Sequence, residues 1–240
     1  MTDAPLVPGA VNFRDVGGLP AGSGRTRDGV LYRAGNLAQL GAHGLAAIER
    51  LGIRRVIDLR ADDERAHAPS RTEALGLTTQ HVPLFLGSVA SFFERDMSLA
   101  EMYRALVDDS AASVVEAVRG LLAEQPVLIH CTVGKDRTGV TVALALAAAG
   151  VDQDAVVADY ARTEALLPEW RNREVVRQLR LLHPEAVHLE ELASRSPASV
   201  MRALLDDLTS RFGSPADYLR AHGLAEDEIV ELRRVLVAAD

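Results

Sequence analysis

The sequence predicts an α/β fold, on three observations. Arg54 to Arg60 and Pro126 to Ile129 are short apolar runs rich in β-branched residues, and they read as buried strands. Segments with helical spacing lie between and after them, among them Ala42 to Leu51 and Ser110 to Ala123, which is the pattern of a sheet covered by helices. Beyond Gly150 only helical patterns recur, so residues of about 152–240 are expected to be all-helical. At 240 residues, 48% apolar and 25% charged, the chain is long enough for a sizeable core and is expected to form a single domain over 1–240.

Taken in order, residues 1–10 hold two prolines and no periodicity, and read as an extended arm. Apolar residues alternate from Val11 to Val16, Gly17-Gly18 marks a turn, and a Gly-rich loop leads to a short strand at Val30 to Arg33. Two strands around a loop suggest a hairpin. Leu45, Ile48 and Leu51 then define a helix from Ala42, ended by Gly52. The strand Arg54 to Arg60 closes on Asp58 and Arg60, at the strand end where α/β sheets place ligands. Asp62-Asp63-Glu64 reads as a solvated helix start, and Thr78 to Phe85 as an extended run kept near an edge by Pro83. Val89 to Val107 is helical in part and broken near Asp96-Met97-Ser98.

Val114, Val115, Val118, Leu121 and Leu122 form the apolar stripe of the helix from Ser110 to Ala123. Thr138 to Ala149 is apolar nearly all round, which implies burial at the centre of the fold, and Gly150 closes it. Helices are further expected over Asp152 to Leu167 and Glu169 to Leu182, then after the Ser196-Pro197 and Ser214-Pro215 start signals, and last from Glu226.

A net charge of −8 argues against nucleic acid as a partner, because a polyanion needs a basic face. The one cysteine cannot form an internal disulfide. Met1 to Gly9 lacks the basic and apolar regions of a signal peptide, and the longest apolar run, Val142 to Val151, is about half the ~20 residues of a membrane span. A cytoplasmic protein with no integral membrane segment is expected, with export lacking a recognisable signal as the alternative.

The chemistry centres on the ten residues His130-Cys131-Thr132-Val133-Gly134-Lys135-Asp136-Arg137-Thr138-Gly139, which join a strand end to a helix start. A helix N-terminus offers unpaired N–H groups and partial positive charge, and so favours an anion. There Cys131 can exist as a thiolate, a strong nucleophile toward phosphorus. Arg137, with the backbone N–H groups of Thr132, Val133, Gly134 and Lys135, can bind the three equatorial oxygens of a phosphoryl group. Gly134 permits positive φ or a close backbone approach, and Thr138 can offer its hydroxyl to the sulfur. A nucleotide P-loop is excluded, since Ile129 stands where its first glycine is needed and Asp136 where Ser or Thr is.

These residues resemble the HCxxGxxRTG signature of the cysteine-dependent protein tyrosine phosphatases. The Gly-Lys-Asp-Arg-Thr form is similar to that of the atypical bacterial family that includes mycobacterial dual- and triple-specificity tyrosine and lipid phosphatases. Asn12 to Leu19, Leu31 to Gly35 and Ile57 to Arg60 also look like that family's recurring segments. The resemblance implies a tyrosine-phosphatase-like fold, with a small central, mainly parallel sheet flanked by helices and a helical C-terminal extension. It implies phosphomonoester hydrolysis without metal or cofactor, on a phosphorylated protein or a phosphoinositide, with Cys131 as nucleophile and Arg137 as phosphate clamp.

For the general acid the family uses the Asp inside the signature, here Asp136; Asp96, in the expected break, is the rival. The thiolate and the phosphate would raise the pKa of Asp136, whereas Arg137, Lys135 and the helix end would lower it. In related phosphoinositide phosphatases a lysine at the place of Lys135 helps hold inositol phosphates, while Thr132 stands where some carry a further lysine. His130 is expected to support the loop through hydrogen bonds. Arg14, Asp15, Asp58 and Arg60 read either as supports of the site or as buried ion pairs. Trp170, Arg171 and Arg173 belong either to a lid or to a helix packed on the core. The competing functions are a rhodanese-type sulfurtransferase, which also sets a cysteine in an anion loop, and an inactive phosphate-binding module.

Overall fold

The computed structural model describes residues 6–84 and 95–238. Its main sheet comprises β1 (Arg14–Asp15), β4 (Leu31–Ala34), β5 (Arg55–Asp58), β6 (Thr78–His81) and β7 (Val127–His130), in the spatial order β1-β4-β7-β5-β6. Only β1 runs antiparallel to its neighbour, with Arg14 opposite Arg33. The sheet is therefore small and mainly parallel. Ala34, His130 and Asp58 lie side by side in register at the carboxyl ends of the three central strands.

Strand alternation sorts the core into two layers. Leu31, Ile57, Val127 and Ile129 face the larger one, with Val114, Val118 and Leu121 of the helix Ala111–Ala123 and with the helix Arg137–Ala148. Tyr32, Val56 and Leu128 face the smaller one, under Ala47 and Ile48 of α1 (Ala42–Arg50). Helices thus cover both faces. In Arg137–Ala148 every residue except Arg137 and Ala147 is buried, so an element with no polar stripe has become the centre of the larger layer.

Chain order continues with α2 (Asp62–His67), α3 (Leu99–Asp109), α4 (Ala111–Ala123), α5 (Arg137–Ala148), α6 (Gln153–Leu166), α7 (Glu169–Leu182), α8 (Leu189–Ser194), α9 (Ala198–Phe212), α10 (Pro215–Ala221) and α11 (Glu226–Leu236). One continuous apolar cluster runs from Val16 to Val237 and takes in Tyr160, Leu205, Leu208, Tyr218 and Leu232 of the C-terminal helices.

Several elements differ from the sequence expectation. The Gly-rich stretch holds two short strands, β2 (Pro20–Ala21) and β3 (Gly24–Thr26), and β3 pairs with β8 (Val237–Ala238) at the C-terminus. The C-terminal part is therefore not all-helical. Two-residue strands are too short for periodicity to register. The helix α8 also went unread, its six residues carrying less than two turns of pattern. Ser196 does not cap α9, whose N-cap is Pro197; its hydroxyl instead donates to Ala161 O at 3.1 Å and accepts from Glu164 N at 2.9 Å, closing the end of α6. Ser214 caps α10 as expected, accepting from Asp217 N at 3.0 Å. The expected helical start from Val89 through Phe93, and Phe85, lie outside the described residues.

Candidate active site

The loop between β7 and α5 is shaped by what binds its carbonyl groups. Thr132 O accepts from the Asn36 backbone at 3.0 Å and from Asn36 Nδ2 at 3.1 Å. Val133 O and Gly134 O accept from Asn12 Nδ2 at 3.3 and 2.9 Å, and Gly134 O also from Arg33 Nη2 at 3.0 Å. In a trans peptide the N–H points opposite to the preceding C=O. Tying three successive carbonyls outward therefore turns the N–H groups of Val133, Gly134 and Lys135 inward. Gly134 N donates to Cys131 Sγ at 3.3 Å, while Val133 N and Lys135 N meet no protein acceptor among the described residues. Gly134 itself sits at φ +74°, and a Cβ there would lie 2.4 Å from Ala34 O.

Behind the loop, Arg14 Nε and Arg33 Nη1 each contact Asp159 at 2.8 Å, with all three side chains buried. Burial and the neighbouring Arg33 charge lower the Arg14 pKa to about 10, against the pull of Asp159. Two guanidiniums sharing one carboxylate leave a surplus positive charge under the anion loop. Asp15 takes no part in this cluster; it accepts from Gly17 N and Gly29 N at 2.9 and 2.7 Å. Asp58 and Arg60 form a buried pair of their own, bonded at 2.9 and 2.7 Å, and Asp58 Oδ2 lies 3.7 Å from His130 Nε2. His130 Nδ1 reaches Cys131 O at 3.2 Å, the supporting contact expected of it. Burial, opposed in part by Asp58, lowers the His130 pKa.

Cys131 is 3% exposed, at the floor of the loop. Across from it Arg137 is held by Glu64, Nη1 to Oε2 at 2.6 Å and Nη2 to Oε1 at 2.7 Å. Thr132 Oγ1 donates to the same Glu64 carboxylate and accepts from Arg137 Nη2 at 3.2 Å. Burial would raise the Glu64 pKa, but the hydrogen bonds and charge of Arg137 bring it down to about 2. Burial would lower that of Arg137; Glu64 and the Cys131 charge instead raise it. Glu64 corrects the sequence reading, because only Asp62 and Asp63 of the acidic cluster are exposed, and Glu64 turns inward onto the clamp. A carboxylate three residues after the Ala61 N-cap was its one signal.

Asp136 stands at the N-cap of α5, next to Arg137. Its Oδ1 accepts from Tyr103 Oη at 2.9 Å and from Lys135 Nζ at 2.6 Å. Lys135 is 1% exposed, so its charge is spent on Asp136 and is not open to a ligand. Thr138 Oγ1 is buried with no hydrogen-bond partner among the described residues, so it is not bonded to the sulfur, where Gly134 N stands instead. Asp96, at φ +47°, uses Oδ1 to accept from Val187 N and His188 N at 2.8 and 2.9 Å, bracing the approach to α8. No residue of α7 is fully buried and Trp170 is 70% exposed, but Leu179 packs against the larger core layer, so the helix lies on the core by one edge.

A profile of the tyrosine phosphatase family matches residues 5–238. The chain belongs to the tyrosine phosphatase family. Among its relatives, a triple specificity protein phosphatase of Mycobacterium tuberculosis is 31% identical over 278 aligned positions, covering 96% of this chain and 98% of the relative. A tyrosine-protein phosphatase of Nostoc commune is 28% identical over 217 positions, covering 84% of this chain and 72% of its own length. Cys131 to Thr138, expected on the loop, are brought together by the fold. Asn12, Arg33, Asn36, Glu64, Tyr103, Asp159 and Tyr160 join them from elsewhere in the chain, with no sequence pattern that assigns them to the loop.

Proposed function

We propose that this phosphatase hydrolyses phosphotyrosine, and with it phosphoserine, phosphothreonine and phosphoinositides, through a phosphocysteine intermediate formed on Cys131. The observation that carries the reading is the loop itself. Its carbonyls are tied outward, its N–H groups face a buried thiol, and Arg137 is held beside it by Glu64. In the first step the thiolate attacks phosphorus as the bond to the ester oxygen breaks, and Asp136 gives that oxygen its proton. The N–H groups of Val133, Gly134 and Lys135 and the Arg137 guanidinium hold the equatorial oxygens. In the second step water attacks phosphorus, its proton passes to the Asp136 carboxylate, and inorganic phosphate leaves the regenerated thiolate. Asp136 is favoured over Asp96 because it adjoins Arg137, whereas Asp96 is occupied with the backbone of 187–188.

Phosphoinositide hydrolysis rests on the resemblance to a triple specificity relative and draws no support from Lys135, which is buried against Asp136. Residues 1–240 act as one catalytic domain in this reading, and the protein resides in the cytoplasm, where a reducing environment keeps its one thiol available. No described helix is long and apolar enough to cross a membrane. The sulfurtransferase alternative predicts turnover of thiosulfate, and the inactive-module alternative predicts binding without turnover. A panel of phosphotyrosine, phosphoserine and phosphothreonine peptides, phosphoinositides and thiosulfate tests all three readings. Release of phosphate from phosphotyrosine peptide is expected; turnover of thiosulfate alone, or of nothing, contradicts the proposal.

A further inference from the structure

Asp136 is fastened by one of its two oxygens. Oδ1 takes both the Tyr103 hydroxyl and the Lys135 ammonium, while Oδ2 receives no hydrogen bond among the described residues. Tyr103 Oη in turn lies 2.8 Å from Tyr160 Oη. A phenol has one proton, and Tyr103 gives its proton to the carboxylate, so Tyr160 is the donor to Tyr103. The relay runs from Tyr160 on α6, through Tyr103 on α3, to the last residue before the clamp arginine.

Both tyrosines are 0% exposed and their rings meet edge to face at 81°. The hydroxyls are therefore fixed by packing, with few rotatable bonds to freeze. Lys135, itself buried, places its charge on the same Oδ1 from the loop side, and the Tyr103 hydroxyl adds a directed donor from α3.

We propose that Tyr103, backed by Tyr160, is a positioning residue that holds Asp136 with Oδ2 as the proton-carrying oxygen and strengthens it as an acid toward poor leaving groups. When Oδ2 loses its proton to the leaving oxygen, negative charge appears on the carboxylate. Donors already aimed at Oδ1 bind that charged form more tightly than the neutral one, so their contribution grows along the first step. In the second step the same donors make the carboxylate a weaker base. The relay therefore favours cleavage of the ester over hydrolysis of the intermediate.

The charged and titratable groups around Asp136 are Lys135 from the loop, Arg137 from α5, Cys131 across the site, Tyr103 from α3 and Tyr160 from α6, with Arg33 and Glu191 beyond Tyr160. Burial and the nearby Asp136 charge raise the pKa of both tyrosines, which keeps them protonated donors through the working range. The inference rests on Asp136 as general acid, and the test separates the two claims.

The experiment compares the pH dependence of kcat/KM for wild type, Tyr103→Phe, Tyr160→Phe and Asp136→Asn, on phenyl phosphate and on p-nitrophenyl phosphate, whose better leaving group needs less protonation. For Tyr103→Phe the expected result is a fall of about tenfold on phenyl phosphate, less than about threefold on p-nitrophenyl phosphate, and a basic limb displaced from that of the wild type, because one donor to the carboxylate is gone. Tyr160→Phe moves the limb the same way by less. Unchanged limbs and leaving-group dependence in both tyrosine variants, with Asp136→Asn slow on phenyl phosphate, overturn the inference alone. An Asp136→Asn enzyme that keeps its rate on phenyl phosphate overturns the general-acid reading and the inference with it. Should Tyr103→Phe fail to bind vanadate, and so be misfolded, Tyr160→Phe decides by the position of its limb.

Discussion

Glu64 holds Arg137 by both terminal nitrogens, at 2.6 and 2.7 Å, and in doing so fixes the plane of the guanidinium beside Cys131. With Nη2 also donating to Thr132 Oγ1 at 3.2 Å and Nη1 to Leu59 O at 3.4 Å, the Nε–H is the guanidinium donor left without a partner among the described residues and open to a phosphoryl oxygen. Glu64→Gln keeps the size of the side chain and removes its charge. It is expected to lower kcat on p-nitrophenyl phosphate by about tenfold or more, the loss of one to two charge-assisted hydrogen bonds, while inhibition by inorganic phosphate weakens less. Steady-state kinetics with phosphate as competitor measure both.

The same pair has a pH signature. The folded pKa of Glu64, about 2, lies below its ordinary value of 4.5, so the pair stabilises the fold fully above pH 4.5 and that contribution is lost as pH falls toward 2. The difference in unfolding free energy between wild type and Glu64→Gln should therefore shrink over that window and stay constant above it. Urea unfolding at a series of pH values checks the direction.

Gly134→Ala places a Cβ 2.4 Å from Ala34 O at a φ of +74°. The backbone conformation alone costs about 1–3 kcal/mol for a residue with a side chain, and the contact adds to it. Destabilisation of at least that size is expected by denaturant unfolding. Loss of activity should exceed what the fraction unfolded explains, because the loop's donors move.

Asp159→Asn leaves Arg14 and Arg33 buried without the carboxylate they share. Breaking such a pair costs about 3–5 kcal/mol. Replacing Arg33 by Met leaves the Arg14–Asp159 contact in place and is expected to cost less, yet to slow turnover through Gly134 O. Chemical denaturation set beside kcat distinguishes the two variants.

Asp136→Asn and Asp96→Asn separate the two candidate acids. On phenyl phosphate only the first should lose rate, by about 10²–10⁴-fold as for removal of a general acid. The second retains a side-chain oxygen for Val187 N and His188 N and is expected to stay close to wild type.

How much of this was legible in the sequence depends on range. The loop from Cys131 to Thr138 was, because a strand end, an anion-binding turn and a buried helix follow one another within about twenty residues. So was the buried strand Val127 to Ile129, a short apolar run, although which of its residues face which layer was not, because all three are apolar. Glu64 was not, because an acidic run before a helix looks the same whether its third member faces water or a guanidinium. Tyr160 was not, since its partner Tyr103 lies 57 positions away and neither carries a spacing pattern. Arg33, fully buried, reads in sequence only as the last residue of a short strand; only the fold brings Asp159 and Gly134 to it. Ser196 shows the converse: the Ser-Pro pair marks the start of α9 to within one residue, but the hydroxyl bonds the last turns of α6 and does not cap α9.

The central claim is that Cys131 carries the phosphoryl group. It is tested most directly by mixing the enzyme with p-nitrophenyl phosphate, quenching in acid within the first turnovers, and mapping the modification by peptide mass spectrometry. The expected result is one phosphoryl group on Cys131, absent from Cys131→Ser, which should still bind vanadate. Steady turnover with no phosphocysteine in the wild type, or a Cys131→Ser enzyme that keeps its rate, would contradict the account.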